Sequence, residues 1–122
     1  MDSYRTLEAW KNAHRLARFA HEATNRAYHP RSRSLFDQIR RAAVSVEANI
    51  VEGYALNTPG LCRRHVRIAF GSAAEVECLV RLAGELDYLP ADTVRELTRT
   101  LAATMRTLRG LLRHPPVTAS SP

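Results

Sequence analysis

The stretch QIRRAAVSVEANIVEG, residues 38–53, carries two stripes at helical spacing, and these stripes decide the fold class. The apolar stripe recurs every three or four residues and predicts a buried helix face at Ile39, Ala42, Ala43, Val46 and Ile50. A polar stripe runs beside it at Gln38, Arg41, Ser45, Asn49 and Glu52. Serine and asparagine are weak helix formers, so their use here favours a packed, hydrogen-bonded seam over a solvated surface.

The polar seam is expected to meet the third helix, where Gly71, Ser72 and Glu75 lie together and Glu75 is placed to pair with Arg41. Two interpretations are open. The seven side chains form a structural network that fixes helix register or subunit contacts, or they line a functional pocket. They are Gln38, Arg41, Ser45, Asn49, Glu52, Ser72 and Glu75.

Apolar periodicity continues outward from this stretch and predicts four helices. They cover Thr6–Tyr28, Leu35–Tyr54, Gly60–Leu86 and Ala91–Arg113. Helices of about twenty residues with short joints favour antiparallel neighbours. The sequence therefore predicts an all-α fold, an antiparallel up-down-up-down four-helix bundle over residues 1–114, followed by a flexible C-terminal tail over residues 115–122.

Short signals mark the predicted helix ends. Ser34, with Asp37 three residues later, indicates a capping box at the start of the second helix. Gly53 is a candidate left-handed cap near the end of that helix. Thr58 followed by Pro59 indicates the cap and first turn of the third helix.

The net charge is positive and rests almost wholly on arginine. The 122 residues, a length that fits one domain, carry a formal charge of +6. Lys11 is the only lysine among the 18 cationic side chains. An arginine-rich, GC-biased genome would explain the choice of arginine over lysine, but the excess of positive charge still calls for a partner or another reason.

Cysteine usage and hydropathy indicate a reducing cytoplasm. Cys62 and Cys78 fall in one predicted helix about 24 Å apart, which is too far for them to pair within it. Residues 1–10 are polar and carry no signal-peptide core, and no apolar run approaches the length of a membrane span. We therefore expect a cytoplasmic protein without a membrane partner.

Residues 38–54, QIRRAAVSVEANIVEGY, resemble the signature of the four-helix bundle proteins encoded in ribosomal RNA intervening sequences. That family includes the accessory variability determinant of diversity-generating retroelements. Weaker matches are LEAW at residues 7–10, GSAAEVE at residues 71–77 and DYLP at residues 87–90, so the resemblance covers roughly residues 4–113. Two positions depart from the family pattern: Glu47 stands where proline is usual, and Ala55 stands where a glycine often follows the tyrosine.

The resemblance implies a homopentamer, with five bundles around a central axis, and a basic surface that contacts nucleic acid. It also implies a reverse transcriptase or another RNA-handling protein as a partner. The sequence also contains more large aromatic side chains than one narrow, alanine-rich core needs. This excess indicates self-association, because aromatic side chains are enriched at subunit contacts. These aromatic residues are Tyr4, Trp10, Phe19, Phe36, Tyr54 and Phe70.

Five arginines of the fourth helix are the best independent sign of nucleic-acid binding. At about 100° per residue they fall within an arc of roughly 80°, away from the apolar face. They are Arg95, Arg99, Arg106, Arg109 and Arg113. A row of guanidinium groups on one face can follow a phosphate backbone. The alternative is a solvated polar face, with arginines near the helix C-terminus favoured by the helix dipole.

A second basic cluster, Arg63, Arg64 and Arg67 with His65 among them, lies near the start of the third helix. Cations are disfavoured at a helix N-terminus. The cluster therefore indicates an acidic neighbour or an anionic ligand.

Enzyme motifs fail when they are tested on this sequence. Di-iron bundles need glutamate with histidine three residues later, and no glutamate here has one. The sequence also lacks a phosphate-binding glycine loop, zinc spacing and a nucleophile elbow. We therefore expect no catalytic residue, metal or cofactor, with Arg41, Asn49, Glu52 and Glu75 as the one group that merits a test as a pocket.

Two functional hypotheses follow from the sequence. The leading one is a cytoplasmic, non-catalytic homo-oligomer that contacts the phosphates of structured RNA through arginine rows, or acts as an adaptor beside an RNA-handling enzyme. The alternative is an oligomeric scaffold that docks an acidic partner protein without nucleic acid. Salt dependence does not separate them, whereas competition between RNA and an acidic protein does.

Overall fold

The computed structural model describes residues 3–116, and within that range the chain forms four α-helices and no β-strand. The helices are α1 (Glu8–Arg26), α2 (Arg33–Leu56), α3 (Pro59–Glu85) and α4 (Ala91–Arg113). Short 3₁₀ turns at Tyr4–Thr6 and Pro30–Ser32 precede α1 and α2. The predicted all-α class and the number of helices are confirmed. The predicted tail begins at Pro115, and its residues 117–122 lie outside the described part of the chain.

Both predicted signals at the ends of α2 are wrong. The 3₁₀ turn leads directly into the helix, so α2 begins at Arg33 and Ser34 lies inside it rather than capping it. At the other end the helix runs on past Gly53, and the left-handed cap is Asn57, with φ 57° and ψ 31°. Asparagine tolerates this conformation better than most residues.

The starts of α3 and α4 agree with the sequence signals. The Thr58 side chain accepts a hydrogen bond from the backbone N–H of Leu61, and Pro59 occupies the first turn of α3. Helix α4 covers the predicted range of Ala91–Arg113, entered through Pro90 in extended conformation. A proline before the helix fixes the backbone without removing a helical hydrogen bond.

The core pairs small side chains on α1 with larger ones on the other helices. The buried face of α1 holds five alanines and Leu16, whereas α2 contributes Phe36, Ile39 and Ile50, and α4 contributes Leu97, Leu101 and Leu108. Small residues opposite large ones let the helices interdigitate at normal packing density. Full burial of one leucine or isoleucine contributes about 1.5–3 kcal/mol.

Each helix contacts two others within residues 3–116, and α2 makes its most extensive contact with α3. Gly53 of α2 is buried against α3, where an added Cβ would lie 3.0 Å from Cβ of His65 and 3.3 Å from the carbonyl oxygen of Cys62. Helix α4 packs between α1 and α3. The outer faces of α1 and α4 therefore lie side by side, and so do those of α2 and α3.

Candidate nucleic-acid interface

The five arginines of α4 are all exposed. None of them forms an ion pair with a carboxylate in the part of the chain that the structure describes. The core side chains Leu97, Leu101 and Leu108 hold the helix from its opposite side. The predicted row of Arg95, Arg99, Arg106, Arg109 and Arg113 is thus a set of exposed guanidinium groups without an internal counterion.

Two arginines of this row, Arg95 and Arg109, lie near side chains of α3. The guanidinium of Arg109 lies over the Phe70 ring, 5.2 Å from its centroid, a cation–π contact that fixes the side chain while leaving its charge uncompensated. Arg95 lines a shallow groove with Glu77 and Glu85 of α3. Arg81 lines the same groove and pairs with Glu77 at 2.6 Å, so the carboxylates near Arg95 are themselves partly neutralised.

The second predicted cluster meets the C-terminal end of α4. Nε of Arg63 donates a hydrogen bond of 3.2 Å to the backbone carbonyl of Leu112. The last carbonyls of a helix carry partial negative charge and lack helical partners. This end of α4 therefore supplies a partial negative charge to Arg63, whereas within residues 3–116 no carboxylate pairs with Arg63, Arg64 or Arg67. Arg64 and Arg67 stay exposed.

Sequence reasoning missed a third basic row, on α1. Lys11, Arg15 and Arg18 are exposed there, and α1 packs against α4. Asn12 connects the helices, because its Nδ2 donates to the Ala103 carbonyl at 3.5 Å and to Oγ1 of Thr107 at 3.4 Å. The three-and-four spacing of these cations was visible in the sequence, but their position beside α4 requires the packed structure.

Charge is divided unequally between the two sides of the molecule. Helices α1 and α4 together carry nine cationic side chains and four carboxylates, whereas α2 and α3 carry seven and six. The α1–α4 side therefore accounts for five of the six net positive charges. A face of this kind attracts polyanions over several ångströms.

The polar seam between α2 and α3 is assembled around Ser45, Asn49 and Ser72. The Ser45 and Ser72 hydroxyls share a hydrogen bond of 2.9 Å, and Nδ2 of Asn49 donates to the Ser45 carbonyl at 2.9 Å. His65 completes the network with Nδ1 3.0 Å from Oδ1 of Asn49 and 3.7 Å from Oε2 of Glu52. His65 was grouped with the basic cluster in the sequence, and only its packing against α2 reveals the role in the seam.

The outer members of the seam are not joined to it. Gln38, Arg41 and Glu75 line an open groove of about 280 Å³ with Ser45 and Ser72. The ion pair expected between Arg41 and Glu75 does not form within residues 3–116, because both side chains extend into solvent. Salt bridges at exposed sites are weak enough that solvation competes with them.

Glu47, one of the two departures from the family pattern, contacts α1. Its Oε2 lies 2.7 Å from Nδ1 of His14, and the His14 ring stacks on Trp10 with centroids 4.8 Å apart. The Tyr4 ring meets Trp10 edge-on at 5.2 Å. The aromatic surplus noted in the sequence is thus largely taken up by contacts inside the chain.

The two cysteines lie in different environments. Cys62 is buried and Cys78 exposed, and both are free thiols. Burial raises the pKa of the Cys62 thiol, and the neighbouring Arg63 opposes that shift.

Within residues 3–116 no group of three or more His, Cys, Asp or Glu side chains is arranged to hold a metal ion. None of the helices in the same range combines the length and the apolarity that crossing a bilayer requires.

The profile of the 23S rRNA-intervening sequence proteins matches residues 5–110. The chain belongs to this family. The match runs from the first 3₁₀ turn through the helices and their joints to the last turn of α4, and so includes the α1 row and four of the five α4 arginines. The resemblance seen at residues 38–54 is therefore confirmed over most of the chain. Comparison with curated proteins gives no match.

The residues that match the 23S rRNA-intervening sequence family can be compared with the division of charge between the two sides of the molecule. Arg113 lies just beyond the matched range, whereas Arg99, Arg106 and Arg109 lie inside it. The residues that carry the signature in α2 lie against α3, on the side with little net charge. The stretch that identifies the family and the basic face are therefore on different sides of the molecule.

Proposed function

We propose that this chain is a non-catalytic, homo-oligomeric RNA-binding or adaptor protein that contacts the phosphates of structured RNA through the arginine row of α4. One observation carries the proposal: all five arginines are exposed, and none is neutralised by a carboxylate in the described chain. Guanidinium groups match phosphate oxygens in bidentate geometry. The family description, which names a 23S rRNA intervening sequence, supports RNA as the polyanion.

The proposed mechanism is electrostatic. The hydrophobic face of α4 fixes the helix, and the arginine stems extend from its outer side. Binding releases counterions from the nucleic acid, which favours association at low salt and weakens it as salt rises. No base-edge contact is required, so the protein would recognise the backbone of a folded RNA rather than a sequence.

We further propose that copies of the chain associate through the side formed by α2 and α3. This side holds most of the exposed large hydrophobic residues: Leu56, Leu61, Ile68, Leu82 and Leu86, each between 40% and 47% exposed. On α3, Leu61, Ile68 and Leu82 fall on a seven-residue repeat whose remaining position is Glu75. Apolar residues at seven-residue spacing lie on one face of a helix, as they do in helices that pack against another helix.

Charge supports a second copy as the occupant of this side. The α2–α3 side carries a net charge near +1, so two copies meeting there repel little, whereas two α1–α4 sides would bring together five net positive charges each. Self-association through α2 and α3 leaves the basic face of every copy open. The resemblance stated above implies five copies around an axis. We propose that each protomer is an up-down-up-down bundle and that the assembly is cytoplasmic.

The contacts between helices support that antiparallel arrangement of the protomer. Asn49, in the second half of α2, meets His65, in the first half of α3, and Arg63, near the start of α3, meets Leu112 at the end of α4. Asn12, near the start of α1, contacts Thr107, near the end of α4. Each pair joins positions that antiparallel neighbours bring together.

A direct binding experiment tests the proposed function. Purified protein is titrated into a fluorescently labelled structured RNA at low salt, first alone and then in the presence of poly-glutamate as an acidic polypeptide competitor. We expect RNA binding that excess poly-glutamate displaces only weakly. Absence of RNA binding, with poly-glutamate bound instead, would overturn the proposal in favour of a scaffold for acidic proteins.

A further inference from the structure

We infer that the groove between α1 and α4 holds one unpaired guanine nucleotide of the bound RNA. This inference rests on the proposed function and adds a single base contact to the phosphate contacts of α4. The groove has a volume of about 440 Å³, within the roughly 300–1,000 Å³ that small-ligand sites span. It is called the α1–α4 groove below, and the part that carries the inference is lined by Arg15, Arg18, Phe19, Glu22, Glu96 and Thr100.

The packing of α1 against α4 brings an aromatic ring and a carboxylate together in this groove. Asn12 of α1 donates hydrogen bonds to the Ala103 carbonyl and the Thr107 hydroxyl of α4. Phe19, seven residues further along α1, lines the groove with Glu96, which lies seven residues before Ala103 on α4. Seven residues are about two helical turns, so each pair of positions lies on the same side of its helix. The two side chains therefore meet across the same helix contact that Asn12 makes.

Three groups in the α1–α4 groove lack the partner that their chemistry favours. Nη1 of Arg15 donates to Oδ1 of Asn12 at 2.9 Å, and this neutral amide leaves the guanidinium charge uncompensated. Glu96 is exposed, and its carboxylate forms no ion pair within residues 3–116. Phe19 is half-buried, and in the same range no other ring or guanidinium lies against its ring. The groove thus offers a cation, a carboxylate and an aromatic ring at once.

Other side chains of the groove already have partners in the chain. The Trp10 ring stacks on the His14 ring with centroids 4.8 Å apart. Arg18 lies 3.8 Å from Glu22, and both side chains are more than half exposed. Exposed pairs of this kind contribute little, so a phosphate can replace the carboxylate at Arg18 at small cost. A ring of the ligand is therefore expected on Phe19 rather than on Trp10, with Arg18 as a second cation for its anionic group.

A nucleotide satisfies all three unpartnered groups. Its phosphate pairs with a guanidinium, and its base stacks on an aromatic ring. The edge of its base presents N–H donors, which a carboxylate accepts. Proteins recognise unstacked RNA bases in this way, by stacking and by hydrogen bonds to the Watson–Crick edge. The edge of a base inside a duplex is already paired and both its faces are covered, so the nucleotide in the groove must be unpaired.

Guanine fits the Glu96 carboxylate better than the other three bases. Its N1–H and exocyclic N2–H lie side by side and point the same way, so they can donate to both carboxylate oxygens together. Adenine and cytosine present one amino donor beside a ring nitrogen whose lone pair repels a carboxylate. Uracil presents a single N–H between two carbonyl oxygens. Hydrogen bonds to an ionised acceptor are the strong ones, so this difference favours guanine.

The test uses fluorescently labelled RNA hairpins that share one stem. Their loops consist of uridines, and in three of the hairpins one loop uridine is replaced by guanosine, adenosine or cytidine. The same stem as a blunt duplex measures the phosphate contacts alone. Fluorescence anisotropy at several salt concentrations gives the affinity and its salt dependence.

The variants change one group of the α1–α4 groove at a time. E96Q removes the carboxylate charge, R15Q removes the cation, and F19L removes the ring but keeps an apolar side chain against the core. D87N and R33Q are matched controls at exposed positions outside the groove, each with the same change in charge as its partner variant. Asparagine suits position 87, where the backbone has φ 60°.

We expect the guanosine loop to bind at least about fivefold more tightly than the uridine loop, because a bidentate contact to a base edge discriminates by that factor or more. E96Q should bring this ratio close to one, although its charge change by itself favours RNA, and D87N should retain the ratio. F19L should weaken binding of the guanosine loop and leave the blunt duplex unchanged, which also shows that F19L is folded. R15Q should lower the slope of log K against log salt for the guanosine loop by about 0.7, and R33Q should retain the slope.

Other outcomes overturn one claim or the other. If all four loops bind alike, or if E96Q keeps the same ratio as D87N, the guanine site is wrong, and binding of the blunt duplex keeps the α4 proposal. If E96Q abolishes a guanosine preference while R99A/R106A binds the blunt duplex like wild-type protein, the groove stands and the α4 row is refuted. If the protein binds none of these RNAs, the proposed function itself is refuted.

Two competitors identify the source of the ligand. GMP should displace the guanosine loop only at concentrations well above that of the hairpin, because it lacks the stem. Displacement by GMP at equal concentration would assign the groove to a free nucleotide and overturn RNA as its source. Displacement by free phenylalanine, which carries a ring and both charges, but not by GMP would assign the groove to a peptide and overturn the inference.

Discussion

Replacing Gly53 with alanine is expected to destabilise the bundle, whereas the same replacement at Gly71 is expected to stabilise it. Alanine is favoured over glycine inside a helix by about 1 kcal/mol, and both residues lie within helices. At Gly71 an added Cβ meets no atom within 4 Å, so the helical preference is the whole effect. At Gly53 the new Cβ would lie 3.0 Å from Cβ of His65 and 3.3 Å from the carbonyl oxygen of Cys62.

Neither of these two neighbours of Gly53 can rotate away. The Cβ of His65 and the Cys62 carbonyl are fixed by the backbone of α3, so the helices must separate by a few tenths of an ångström, which also strains the hydrogen bond between His65 and Asn49. Overpacking of this kind costs about 1–3 kcal/mol. Both variants gain the same helix preference, so the overpacking cost alone separates them. The free energy of unfolding of G53A should therefore be about 1–3 kcal/mol lower than that of G71A.

Chemical unfolding of both variants at one protein concentration, followed by circular dichroism, measures this difference. Gly110, which is equally open in α4, provides a second control. A difference of 1 kcal/mol corresponds to a shift of about 4 °C in melting temperature for a chain of this length. If G53A proved as stable as G71A, the close approach of α2 and α3 at the end of the signature would be refuted.

Three further predictions concern single contacts. Thr58→Ala removes the side-chain cap of α3 and should lower the free energy of unfolding by about 0.5–2 kcal/mol, whereas Thr58→Ser should retain most of it. Iodoacetamide at mildly alkaline pH should label Cys78 in the folded protein and Cys62 only after unfolding, because burial shields the Cys62 thiol and raises its pKa. Mass spectrometry of the digested protein identifies the labelled cysteine. Equal labelling of both cysteines in the folded protein would contradict the burial of Cys62. A double-mutant cycle on Ser45→Ala and Ser72→Ala should give a coupling of about 0.5–1.5 kcal/mol in urea unfolding, and strict additivity would show that their hydrogen bond contributes nothing.

Most of the fold follows from local patterns in the sequence. The apolar stripe of residues 38–53 is buried where it was predicted, since Ile39, Val46 and Ile50 are all in the core. The bounds of α4 and the cap of α3 agree because their signals, a proline and a threonine before a long periodic run, act over a single turn. Periodicity within one helix is a local property and needs no knowledge of its partners.

Features that depend on contacts between two helices could not be predicted from the local sequence. Gly53 has the composition of a helix cap, but it is a contact point, because its role is set by the backbone of α3 rather than by its own neighbours in the chain. Ser34 resembles a cap, but the preceding 3₁₀ turn already starts the helix. Local sequence favours both roles, and tertiary packing overrides the first.

The candidate site shows the same division. The α4 row can be predicted as an arc on one helix, whereas the position of the α1 row beside α4 follows only from the packing of the two helices. His65 was counted among surface cations, although its Nδ1 hydrogen-bonds Asn49 in the seam. A cation that is exposed in one helix and a cation that packs against a neighbour have the same sequence signature.

The central claim, that exposed arginines on α4 bind RNA phosphates, is tested most directly by the salt dependence of RNA-duplex binding in wild-type protein and R99A/R106A, with R33E as the control of equal charge. We predict that log K falls linearly with log salt in all three proteins and that only R99A/R106A has a slope shallower by about 1.8. Equal slopes in R99A/R106A and wild-type protein would contradict the claim, because arginines that contact phosphates must contribute to counterion release.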